Sequence, residues 1–197
     1  MKNFLAELKT SVLLTLVFAV LLCGAYPLVV WAGAQALFPA KANGSLVVAA
    51  DGTVRGSALL AQSFTSDKYF QPRPSAAGTG YDAANSSGTN LGPTSKKLAD
   101  SVQAAVAAYR TANGLAADAP VPADAVTSSG SGLDPHISVA NAQLQAARVA
   151  KARGLAPAKV SALVAAHTEG RDLALFGEPR INVLLLNLAL DQSAGAP

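Results

Sequence analysis

The amino-acid sequence predicts an α+β fold: one N-terminal transmembrane helix, then one soluble domain with a small β-hairpin or sheet and about four helices. Three observations predict it. The 31 consecutive residues Thr10–Ala40 include no Asp, Glu, Lys, Arg or His. Farther on, Asp51-Gly52 lies between Leu46-Val47-Val48 and Val54, and this dipeptide favours a tight hairpin turn. From Thr94 onward, apolar residues recur at helical spacing between capping residues, Gly and Pro.

A helix needs roughly 20 apolar residues to cross the hydrocarbon core, and residues 12–36 supply them. Pro27 removes one backbone donor within this span, so a local kink is expected. A cleaved signal peptide would have an apolar core of about 7–15 residues, shorter than the run before Ala32-Gly33-Ala34. A lipoprotein would carry a small residue where Leu22 precedes Cys23. A retained anchor is therefore expected. Lys2 and Lys9 lie before the span, and Lys41 is the only Lys or Arg between it and Arg55. This bias places the N-terminus in the cytoplasm. The expected organisation is a cytoplasmic tail over 1–11, the membrane helix over 12–36 and a linker over 37–43. An extracytoplasmic domain follows over 44–191, with a disordered tail over 192–197. The location is the cell inner (plasma) membrane, crossed once.

Residues 41–197 hold 13 Lys+Arg and 11 Asp+Glu once Lys2, Lys9 and Glu7 are set aside. A near-neutral domain lacks the concentrated basic face of a nucleic-acid binder. The sole cysteine, Cys23, lies in the anchor, so no disulfide can form within the domain. Its core alone must hold it, and about 150 residues suffice for that.

The hairpin region runs over 42–62. Residues 63–93, rich in Gly, Pro, Ser, Thr and Asn, read as one long irregular loop. Such loops are functional or disordered, and Phe64, Tyr69, Phe70 and Tyr81 favour a packed one. Thr94 is a good N-cap for a first helix, with Leu98, Val102, Ala105 and Tyr109 on one face and Gly114 as its stop. An Ala/Pro/Asp linker and a Gly/Ser loop over 128–136 follow. Ser138 caps a second helix to Arg153, closed by Gly154. Pro157 opens a third helix, through about His167. Arg180–Asp191, apolar on most sides but too short to span a membrane, reads as a buried helix.

Ser129, Ser131, Asp134 and His136 suggest a hydrolase, making a membrane-anchored extracytoplasmic hydrolase the alternative function. Triad residues, however, normally converge from separate parts of a fold, and no Gly-x-Ser-x-Gly elbow is present. Turn formation by Gly130 and Gly132 and capping by Asp134 and Ser138 account for the same residues. Ser129, Gly130, Ser131 and Gly132 form a Gly-rich loop running toward a helix start, a candidate nucleotide cradle that lacks the usual Lys. His136 and His167, without cysteines, make a poor metal pair. No oxygen-ligand loop is spaced for a cation. Arg73 and Arg180, each held beside proline, suit a carboxylate on a partner or an internal ion pair with a residue such as Glu178 or Asp134.

The chain resembles the C subunit of the bacterial Kdp-type potassium-transporting ATPase. The resemblance is carried by Gly24-Ala25-Tyr26-Pro27, Ala42-Asn43-Gly44-Ser45-Leu46 and Tyr69-Phe70-Gln71-Pro72-Arg73-Pro74-Ser75-Ala76. It continues through Ser87–Thr94, Ser129–Ser138, His167-Thr168-Glu169, Gly177–Val183 and Leu186–Asp191. Thr89 departs from the Gly or Ser that often stands there. The resemblance implies a subunit that is not an enzyme by itself. It would assist assembly and stability of a high-affinity potassium pump and act as a catalytic chaperone that raises the ATP affinity of the ATPase subunit. It implies as partners a channel-like potassium-binding subunit and a P-type ATPase subunit, beside membrane lipid and without nucleic acid. No tightly bound cofactor is expected, and ATP enters only through the complex. Gly24, Tyr26, Pro27, Arg73, Asn90, Asp134, His136, Glu178 and Arg180 are the candidate partner contacts. Lys2 and Lys9 place the domain on the side without ATP, so packing on the outer face of the channel-like subunit fits the residues better than direct nucleotide contact.

Overall fold

An apolar helix and a folded domain divide the chain, and the computed structural model describes residues 2–49 and 51–193 of it. The two compact units are Met1–Leu46 and Val47–Pro197.

In the first unit, helix α1 (Lys2–Phe18) passes through a π-helical stretch, Ala19–Ala25, into α2 (Tyr26–Leu37). The run Asn3–Leu37 has 35 residues and none of its apolar window is buried. At about 1.5 Å per residue it reaches roughly 50 Å, against about 30 Å of hydrocarbon. Leu, Val and Phe side chains stand exposed along its length, which suits lipid rather than water. The Thr10 and Thr15 hydroxyls donate to the carbonyls of Ala6 and Ser11 at 3.0 and 2.8 Å, so neither needs water. The disturbance expected at Pro27 takes the form of the π stretch. Pro27 has no N–H, and in a regular helix its ring would press on the carbonyl of Cys23. The Tyr26 N–H instead reaches back five residues to Leu21, and the wider turn relieves the crowding. A short helix α3 (Pro39–Ala42) ends the unit, with the Asn43 side chain donating to the Pro39 carbonyl at 2.8 Å.

The expected hairpin is β1 (Leu46–Val48) paired with β2 (Val54–Ser57). Asp51 accepts the Thr53 hydroxyl at 2.6 Å and the Thr53 N–H at 2.9 Å. These bonds hold its carboxyl below the usual range.

Helix α4 (Lys96–Asn113) starts at Ser95, whose hydroxyl accepts the Leu98 N–H. This corrects the expected cap at Thr94: both residues suit the role, and the helix uses the later one. Gly114 ends α4 in left-handed backbone, as expected. Helix α5 (Val139–Arg153) is capped by Ser138 and closed by left-handed Gly154, and α6 (Pro157–Ala166) opens on proline, both as expected.

Beyond the hairpin lies a three-stranded antiparallel sheet whose strands had not been located from the sequence. It consists of β3 (His136–Ser138), β4 (Thr168–Glu169) and β5 (Arg180–Asn182) in the order β3–β5–β4. Arg180–Asp191 is therefore not one helix. Its first three residues are the central strand, and only then does α7 (Val183–Ser193) begin. The Asn182 side chain marks the change by accepting the Leu185 N–H at 3.2 Å. A continuous apolar run does not distinguish a buried strand from a buried helix. Of the expected tail from residue 192, Gln192 and Ser193 belong to α7, and 194–197 lie outside the described residues.

The core joins sheet and helices. Ile137 pairs in register with Ile181, and both are buried among Phe70, Val149, Val160, Leu186 and Leu190. Phe70, from the long irregular segment, has no exposed surface.

Candidate functional site

The segment 63–93 is ordered by amide side chains on helices. The Asn187 side chain of α7 accepts the Phe70 N–H at 2.8 Å and donates to the Phe70 carbonyl at 2.9 Å. The Gln145 side chain of α5 does the same for Gln71, at 2.7 and 3.1 Å. Each amide thus replaces a neighbouring strand and satisfies backbone groups that would otherwise be costly to bury. Arg148 donates to the Asp67 and Tyr69 carbonyls at 2.8 and 3.1 Å, although desolvation lowers its pKa. Arg153 lies over the Tyr69 ring at 4.7 Å and pairs with Asp191 at 2.7 Å. The aromatic residues thus pack the loop, as expected.

Once Phe70 is fixed, Arg73 is delivered to the 128–136 loop, where its Nη1 meets Asp134 at 3.0 Å. The other Asp134 oxygen accepts the His136 N–H at 3.0 Å and faces His136 Nδ1 at 3.5 Å. The His136 side chain, followed by its backbone N–H and Arg73, holds the Asp134 carboxyl at about 2, while burial acts the other way. His136 Nε2 lies 3.9 Å from Glu169 on β4. Arg180 Nε on β5 reaches the same Glu169 oxygen at 3.2 Å, and its Nη2 reaches Asp172 at 3.2 Å. These carboxylates raise the pKa of Arg180, Asp172 most of all. The result is a ribbon in which nitrogen-bearing side chains alternate with carboxylates around one sheet, Arg73–Asp134–His136–Glu169–Arg180–Asp172. Four sequence candidates, Arg73, Asp134, His136 and Arg180, come together here. Glu169, quoted only within the His167-Thr168-Glu169 motif, was not a site candidate: its partners become visible only when the strand register places it opposite Arg180. Arg73 Nε is buried and has no hydrogen-bond partner among the described residues.

The internal-pair reading holds for both arginines, but Glu178 partners neither of them. It takes Arg171 at 2.8 Å. Asn90 is exposed with φ of +52°. Gly24, Tyr26 and Pro27 lie in the apolar helix. A Cβ added at Gly24 would meet nothing within 4 Å, so packing within this chain does not require glycine there.

Ser129–Gly132 pack against the long loop. Ser131 accepts the Ser87 N–H at its carbonyl and the Leu133 N–H at its hydroxyl. The Ser75 hydroxyl donates to the Gly132 carbonyl at 2.6 Å. Strand β3 separates these residues from α5. The start of α5 already holds an anion: Asp124 accepts the Ser138 N–H at 2.8 Å, the Ser138 hydroxyl at 2.9 Å and the Asn141 side chain at 2.9 Å. Both ring nitrogens of His136 face carboxylates. A groove of about 460 Å³ is lined by Phe64, Pro72, Pro74, Tyr81, Tyr109 and Gln145 among others. Two of its lining hydroxyls are engaged, that of Tyr81 on the Arg73 carbonyl and that of Tyr109 on Asn141.

The family model described as KdpC, K+-transporting ATPase, c chain, matches residues 8–192. A potassium-transporting ATPase KdpC subunit of Nitratidesulfovibrio vulgaris is 56% identical over 192 residues, covering 97% of this chain and 96% of the relative. Those of Koribacter versatilis and Mycobacterium bovis are 52% and 54% identical, covering 97% and 94% of this chain and 97% and 98% of theirs.

Proposed function

The chain belongs to the KdpC family, and from that premise we propose that it is a non-catalytic accessory subunit of an ATP-driven potassium uptake pump. The observation that carries this reading is how the site residues are used. Arg73, Asp134, His136, Glu169 and Arg180 pair with one another across the sheet. Their joint effect is to lock two loops into a rigid surface, which suits a part that holds other parts in place. Its partners are the channel-like subunit and the P-type ATPase subunit. The helix crosses the inner membrane once with its N-terminus in the cytoplasm, and the domain packs on the outer face of the channel-like subunit. Any influence on ATP affinity then passes through the assembled pump, because ATP and this domain lie on opposite sides of the bilayer. Asp124, bonded to Ser138 and to the Asn141 side chain at the start of α5, supports the same view, since a carboxylate there disfavours a second anion beside it.

Two measurements test the proposal. Affinity purification in mild detergent is expected to recover the other pump subunits with this chain; recovery of the chain alone would overturn the subunit reading. For topology, exposed Asp118 is replaced by Cys in a Cys23→Ala background. A membrane-impermeant thiol reagent is expected to label it in intact spheroplasts. Labelling only after permeabilisation would place the domain in the cytoplasm.

A further inference from the structure

The tip of the connection between β4 and β5, beyond Asp172, has no task in the reading above. Its backbone folds into a finger: the Asp172 and Phe176 N–H groups each donate to the other residue's carbonyl at 2.9 Å. Leu173 is 88% exposed, Leu175 69% and Phe176 60%. Leu173 and Ala174 have φ of +53° and +59°, backbone that residues with a Cβ adopt at a cost. The base is braced by charge. Arg171 grips both Glu178 oxygens at 2.8 and 2.9 Å, and Arg180 reaches Asp172 at 3.2 Å. Strain maintained at an exposed apolar tip points to a task at that tip.

We propose that the finger Arg171–Glu178 is a peg that docks in an uncharged apolar pocket of another protein subunit of the pump. The proposal rests on the subunit reading. The charges at the base select protein over lipid. Arg171 and Arg180 are outnumbered by Glu169, Asp172 and Glu178 and are paired to them. An anionic bilayer surface attracts free basic residues, and this base offers none. Three side chains are too few for a stable complex between free proteins. They suffice where the membrane helix already holds both partners together and supplies a high effective concentration. A small set of buried anchors carries most of the energy of such a contact.

The test uses the whole complex in mild detergent. A benzoylphenylalanine probe replaces Leu173 in one version of the chain and exposed Asp118 in another. Ultraviolet light is expected to couple the probe at 173, and not the one at 118, to another pump subunit. In parallel, Leu173→Ser with Leu175→Ser is expected to weaken retention of that subunit on the order of tenfold. Circular dichroism should remain unchanged, because both side chains are exposed. Coupling only to lipid or detergent, no coupling, or equal coupling from both positions overturns the peg while leaving co-purification intact. If the unmodified chain recovers no pump subunit, the subunit reading falls, and the peg with it.

Discussion

Gly132 shows at the scale of one residue why the 128–136 loop reads better as packing than as an anion cradle. Its φ is +68°, and an added Cβ would lie 2.6 Å from the Ser87 carbonyl oxygen and 2.7 Å from the Ala77 nitrogen. Both are backbone atoms of the long loop, so neither can swing aside. Two costs add for Gly132→Ala: left-handed backbone and a steric overlap that must push the two loops apart. Together they are expected to destabilise the protein by about 2–4 kcal/mol. Gly130 lies two residues away with nothing within 4 Å of its added Cβ. Gly130→Ala is expected to stay within about 1 kcal/mol. Urea titration of the full chain in detergent, followed by near-ultraviolet circular dichroism, measures both. Equal effects would show that the loops do not press on each other at Gly132.

The same distinction between local and distant signals decides which elements were legible beforehand. Helices α5 and α6 announced themselves because their signals are local: Ser138 and Gly154 bracket one, and Pro157 opens the other. The hairpin followed from Asp51-Gly52 in the same way. The three-stranded sheet was hidden because its strands are two or three residues long and their pairing joins His136 to Asn182 and Glu169 to Arg180. No periodicity can show in so short a strand. The site shared that fate. An Arg73–Asp134 pair was among the foreseen alternatives, whereas Glu169 became visible only through register. The long loop was legible as packed from its aromatics, but its clamps were not, since nothing in Gln145 or Asn187 marks them as substitutes for a strand. Asn187→Ala tests that role. It leaves the Phe70 N–H and carbonyl without their buried partner, at about 1–3 kcal/mol for each unsatisfied group. A loss of about 2–6 kcal/mol is expected on urea titration, with faster proteolysis within 63–93 than within α5. Proteolysis spread evenly over the domain would show that Asn187 serves the core in general rather than this loop.

At the scale of the whole molecule, the apolar helix is expected to serve as a contact surface as well as an anchor. Without a hydrophobic force between helices in lipid, close approach depends on small residues. Gly24 and Gly33 are both candidates, since an added Cβ at either meets nothing in this chain. They are nine residues apart, about half a turn round at 100° per residue, so one partner helix cannot use both. Gly24 stands in the π stretch immediately before Tyr26 and Pro27. The widened turn there alters the helix surface locally, which is why contact with a partner is expected at this place rather than elsewhere on the helix. Gly24→Leu is therefore expected to reduce recovery of the other pump subunits by about tenfold, the effect of losing roughly 1.4 kcal/mol of packing. Gly33→Leu is expected to leave recovery near the unmodified level. Neither change should alter the fold of this chain, because neither side chain finds a neighbour within it, so altered recovery reports the contact itself. Recovery unaffected by either substitution would reduce the helix to a tether and leave assembly to the domain. A loss at Gly33 alone would move the contact to the opposite face, away from the Tyr26-Pro27 turn.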